Sequence, residues 1–128
     1  MENLIHKIKH SICLSSQAEA YIYSISEEKT VAKGDVLIRK DQTVNKTFFV
    51  TQGSLRSFCI DKEGKEHTLQ FAIKDWWISD FMAIYNNEPA SLTVECISDS
   101  SVIEFNAQKL NEIYLQFPEL EAFQRKNL

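Results

Sequence analysis

Cysteine is scarce in this chain and poorly placed for chemistry. Of 128 residues only Cys13, Cys59 and Cys96 are cysteines, odd in number and widely spaced. No two form a C-x-x-C pair, which argues against a zinc ribbon, a thioredoxin-like motif or a disulfide framework. Three reduced, mostly buried thiols are expected. Long apolar runs are missing too, so no membrane span is expected. The opening stretch MENLIHKIKHSICLSSQ has no long apolar core ending at small residues, which argues against a secretory signal. A cytoplasmic protein is the expectation. Basic residues number 14 against 18 acidic ones, for a net charge of −4. Gripping a duplex usually takes a concentrated basic surface, so this chain by itself is not expected to hold DNA. There is no G-x-S-x-G, no Walker loop and no H-E-x-x-H, so no enzyme is expected.

What remains is an ordinary soluble composition, 44% hydrophobic and 25% charged, at a length suited to one domain. Leu4, Ile5, Ile8 and Ile12 recur at helical spacing, which predicts a helix over 2–13. Ser16 precedes Glu19 by three residues, a capping-box pattern. It predicts a second helix carrying Ala18, Tyr21, Ile22 and Ile25 to about Ser26. From Lys29 the texture changes. Only Gly34, Gly53 and Gly64 are glycines, and each lies in a polar breaker: AKGD, TQGS, KEGK. Between and after them fall VLI, TFFVT, SLRSFCI, EHTLQFAI, SLTVECI and SVIEF. At least six short strands are therefore expected, the rhythm of an antiparallel roll or barrel. Asn106 can cap a helix over 107–117, and Pro118 suits the first turn of another. The expected architecture is mainly β: a helical N-terminus over 1–28, a β-roll over 29–106 and C-terminal helices over 107–128.

Several residues invite a sharper reading. Glu2, His6 and His10 share one helical face, and two His at i, i+4 can share a metal. No further ligand is evident, so a solvated face is the reading preferred. His67 stands alone in a strand and reads as half-buried. A cupin-type metal protein or enzyme would need a clustered His-x-His and a carboxylate, and none is present. Trp76 and Trp77 are adjacent, so in a strand one points to the core and the other outward.

The run KGDVLIRKDQTVNKTFFVTQGSLRSFCIDKEGKEHTLQF resembles the cyclic-nucleotide-binding domain of Crp/Fnr-type bacterial transcription regulators. The carrying pieces are Gly34-Asp35 with VLI, then TFFVTQGSLRSF, then the hairpin DKEGKE. The stretch FNAQKLNEIYLQFPEL resembles the family's helix after the roll. The resemblance implies a jelly-roll β-barrel, also called a double-stranded β-helix, flanked by helices. It implies a small-molecule effector, or none if the site is vestigial. It implies homodimerisation through the last helix, where Leu120 and Phe123 start an apolar stripe. It implies contact with DNA only through a helix-turn-helix that would follow this chain. The alternatives kept are a free-standing dimerisation or interaction module on the same fold and, after it, a cupin-like metal protein or enzyme.

The resemblance places the family's phosphate-binding cassette on residues 79–94. A Gly-Glu pair that binds the ribose hydroxyl falls on Ser79-Asp80. The Arg-Ser pair, whose arginine binds the cyclic phosphate, falls on Ala90-Ser91. Ser57 and Gln70 fall where base-contacting residues lie. The arginine is thus missing, and no Lys or Arg occurs between Lys74 and Lys109. That interval holds Asp75, Asp80, Glu88, Glu95, Asp99 and Glu104. Cyclic AMP in the usual mode is not expected. Cys13 alone precedes the roll, and Ile78, Ser79 and Asp80 open the cassette, so neither an iron–sulfur cluster nor haem is expected.

Overall fold

A computed structural model describes residues 4–5 and 16–116, the side chains of Ile113 and Tyr114 excepted. Helix α1 (Ser16–Ile25) leads into β1 (Ser26–Val31), β2 (Val36–Ile38), β3 (Lys46–Gln52), β4 (Leu55–Ile60), β5 (Glu66–Ala72) and β6 (Trp77–Ile78). A short helix α2 (Phe81–Asn86) follows, then β7 (Thr93–Cys96), β8 (Ser100–Asn106) and helix α3 (Ala107–Gln116). The strands form two four-stranded sheets, ordered β1-β8-β3-β6 and β2-β7-β4-β5. The pairs within them are antiparallel. This is the mainly β roll with flanking helices that the short-strand rhythm predicts, and the jelly roll that the resemblance implies.

The sheets enclose one core, and the helices make a second. Ile38, Phe48, Val50, Leu55, Ala72, Ile78, Val94 and Val102 pack together in the first. Phe49, Trp77, Ile103 and Phe105 face the other way, against Leu4, Ile5, Ala18, Ile22 and Leu110. Successive strand residues point to opposite faces, so TFFV in β3 feeds both cores at once. That is why its apolar run is continuous rather than alternating. The adjacent tryptophans divide as expected. Trp77 is buried, with its ring 5.1 Å from Phe49 and 5.3 Å from Phe105, while Trp76 is exposed.

Gly53 carries the chain from β3 in the first sheet to β4 in the second. Its φ is +89°, and a Cβ there would lie 2.7 Å from the Asp99 carbonyl oxygen and 2.8 Å from Ser100 Cα. Both the left-handed backbone and the close approach require glycine.

The structure corrects two expectations. Helix α1 ends at Ile25, and residues 26–28 belong to β1 rather than to a helical N-terminus. The roll therefore runs over 26–106. Strand β1 (SEEKTV) has no apolar alternation because it is an edge strand. It is held by its ladder to β8 and by Lys29 Nζ, 3.1 Å from Glu104. Strand β6 is two residues long, too short for any periodic signal. Eight strands are described, in keeping with the expectation of at least six. His67 is exposed, not half-buried, because it lies beside the turn of the β4–β5 hairpin, with Nε2 2.8 Å from Asp61. Glu2, His6, His10, Ile8, Ile12, Cys13, Leu120 and Phe123 lie outside the described residues. Among the described residues no helix is long and apolar enough to cross a membrane.

Candidate functional site

The corner between β6 and β7 holds the residues 79–94. Ile78 ends β6 inside the roll, and Ser79 and Asp80 turn the chain into α2. Asp80 is the N-cap of α2: its Oδ1 accepts from the Ala83 N–H at 3.0 Å. Aspartate is among the preferred caps because a short acceptor reaches the free amides of the first turn. The helix closes at Asn87, whose φ of 54° is left-handed, a conformation asparagine tolerates. Glu88 N–H then donates to the Ala83 carbonyl at 2.9 Å.

Beyond the helix the chain comes back to Asp80. Its Oδ2 accepts from the Ser91 N–H at 2.9 Å, the Leu92 N–H at 3.3 Å and the Ser91 hydroxyl at 3.3 Å. A carboxylate offers about four acceptor positions. Here four donors of the chain converge on one carboxylate that is 1% exposed.

Ala90 is buried in the core between the sheets. Its backbone is bracketed by the loop after β2: Asp41 N–H donates to the Ala90 carbonyl at 2.7 Å, and Ala90 N–H donates to the Gln42 carbonyl at 2.8 Å. Thr43 bridges to Pro89 beside them. Arg39 and Lys40, just before that bracket, are exposed.

The remaining sequence-predicted positions also serve the chain. Ser79 Oγ donates to the Lys46 carbonyl at 2.7 Å, tying the cassette to β3. Gln70 Nε2 donates to the Trp77 carbonyl at 3.0 Å, tying β5 to β6. Ser57 is buried on β4, opposite Gln70 on one side and Val94 on the other. The fold thus joins Asp80 directly to Ser91 and sets Ser57 beside Gln70. Sequence reasoning missed Ala83 and Leu92, which act through backbone N–H groups. An aspartate just before a short apolar stretch was the available signal for a cap.

Arg56, a possible substitute cation, is committed elsewhere. Its strand neighbours Leu55 and Ser57 are buried, and Arg56 lies over the Phe58 ring at 4.2 Å. Its Nε donates to Glu95 at 2.6 Å and its NH2 nitrogen lies 3.1 Å from Glu66. The bond to Glu95 comes first among the interactions that raise its pKa. Among the described residues no group of three or more His, Cys, Asp or Glu is placed to hold a metal ion.

Comparison with known proteins agrees with the fold. The family described as the cyclic nucleotide-binding domain matches residues 28–117. No curated protein matches the chain. The sensor domain of the transcriptional regulator DNR from Pseudomonas aeruginosa superposes with a TM-score of 0.78 at 16% identity, over 97% of this chain and 86% of that one. The Thermus thermophilus catabolite activator protein gives 0.71 at 14% identity, over 89% of this chain and 55% of that one. The regulatory subunit of a cAMP-independent protein kinase A from Trypanosoma brucei gives 0.72 at 15%, over 88% and 40%. The chain thus spans about half the length of the catabolite activator, and at these identities the likeness is one of fold.

Proposed function

The chain belongs to the cyclic nucleotide-binding domain family, and we propose that it is the regulatory domain of a Crp/Fnr-like transcription regulator whose phosphate-binding cassette is degenerate. It senses a different effector, or none, and takes part in binding rather than catalysis. DNA contact would come from a helix-turn-helix outside this chain. The observation that carries the reading is Ala90. The position that the resemblance gives to the phosphate-binding arginine is a buried methyl group. Truncating one partner of a buried, hydrogen-bonded charge pair costs about 2–5 kcal/mol. At about 1.4 kcal/mol per decade, that weakens binding by about 30- to several-thousand-fold.

Titration calorimetry with cyclic AMP tests it. Wild type is expected to bind more weakly than about 100 µM, given that loss. Ala90→Arg is the companion variant, and improved binding there would show that the counter-charge was the missing part. Low-micromolar binding by wild type would overturn the reading and point to Arg39 or Lys40, the exposed cations beside the Ala90 bracket.

A second reading, an interaction module, is favoured by one observation. Leu69 and Phe71 on β5, an edge strand of its sheet, and Ile73 just after it alternate outward, and each is more than half exposed. Exposed apolar stripes of this kind mark contact surfaces more often than chance.

A further inference from the structure

Resting on that reading of the cassette, we infer that Asp80 is the cassette's resident anion and the residue that sets its specificity against phosphate-bearing effectors. The motivating juxtaposition is the convergence of Ala83, Ser91 and Leu92 amides with the Ser91 hydroxyl on one buried carboxylate. Burying a charge is unfavourable unless hydrogen bonds or a counter-charge replace its hydration. Among the described residues no ion pair reaches Asp80. Hydrogen bonds from the chain therefore carry the compensation.

Those donors come from two segments: the first turn of α2 and the loop that enters β7. An oxygen anion that bridges them draws the loop onto the helix, the service a bound phosphate would render with the same kind of groups. Successive backbone amides in a turn form anion-binding concavities of this sort. Here the anion is supplied from within, so the cassette is closed without an effector. An incoming phosphate finds the amides occupied and meets like charge. The effectors compatible with this corner are uncharged or cationic.

Amide hydrogen exchange on the full chain tests the inference, with Asp80→Asn and Asp80→Ala beside wild type. Asparagine has one acceptor oxygen and cannot serve both segments. Exchange is expected to quicken about ten-fold or more either at Ala83 or at Ser91 and Leu92. Asp80→Ala is expected to lose protection on both sides and to melt at a lower temperature. Sodium formate, titrated against sodium chloride at fixed ionic strength, restores both properties to Asp80→Ala and leaves wild type unchanged. Wild-type protection at all three amides in Asp80→Asn overturns the inference. So does a folded Asp80→Ala that formate does not rescue. If Asp80→Ala fails to fold, the isosteric Asp80→Asn decides alone. Tight cyclic AMP binding by wild type would sink the reading of Ala90, whereas these arms bear on Asp80 whatever that titration gives.

Discussion

Cys96 and Cys59 show how far one side chain's chemistry depends on its address. Both are thiols in the two-sheet roll, yet Cys96 is buried at the end of β7 and Cys59 is half-buried on β4. Burial foremost, then the negative charge of Asp35 and Glu95, pushes the Cys96 pKa up to about 11. The thiolate is the reactive form, so at pH 8 only about one Cys96 in a thousand is available. In a Cys13→Ser background, Ellman's reagent at pH 8 is expected to label Cys59 at least about a hundred-fold faster than Cys96. Equal labelling in the folded protein would contradict this placement. Nothing in the sequence separates the two residues, because each sits near the end of a short strand-like run. Asp80 is similar. Its type and its place before α2 mark a cap, but the return of Ser91 and Leu92 to its second oxygen is a tertiary event.

The β4–β5 hairpin is the element whose energetics depend most visibly on pH. Its turn hangs on Asp61, which accepts from His67 at 2.8 Å and from the Glu63 and Lys65 amides at 2.9 Å. The hydrogen bond to His67, followed by that to Lys65, lowers the Asp61 pKa below its ordinary 3.8. A carboxyl with a depressed folded-state pKa adds stability above its unfolded value and loses it as pH falls through the folded one. The amides of Glu63 and Lys65 are therefore expected to keep their protection from neutral pH down to about 5 and to lose it below about 4. Exchange rates across that range provide the check, and a loss centred near pH 6 would show that the Asp61 carboxyl is not the group responsible. This hairpin was readable beforehand from DKEGKE between apolar runs. Strands β1 and β6 were not. The polar sequence SEEKTV pairs only because β8 offers a complementary edge, and Trp77-Ile78 pairs only because Phe48 and Phe49 lie opposite.

At the scale of the whole molecule the open issue is self-association. The sequence places an apolar stripe at Leu120 and Phe123, while the fold exposes another along β5. A helix of two to three turns is marginal alone, so association through the C-terminal segment is expected to be weak in this chain. Sedimentation velocity over a range of concentrations measures it. Leu120→Asp with Phe123→Asp is expected to abolish any dimer, and Phe71→Asp to leave it intact. The reverse pattern would move the interface to β5 and favour the interaction-module reading.

The sequence by itself determined an antiparallel β-roll or barrel, because turn glycines and short β-branched or aromatic runs are local signals that survive without knowing their partners; the jelly roll was what the family resemblance implied. That no Lys or Arg lies between Lys74 and Lys109 also needs no coordinates to read. Only the tertiary structure decided what became of the cassette. Arg56 is paired with Glu95 across the β4–β7 ladder, a partner 39 positions away in the sequence. The closing of Ser91 and Leu92 onto Asp80 joins residues eleven and twelve positions apart. Such contacts arise where backbone amides meet a side chain. Backbone amides have no residue type, so no pattern of letters announces them.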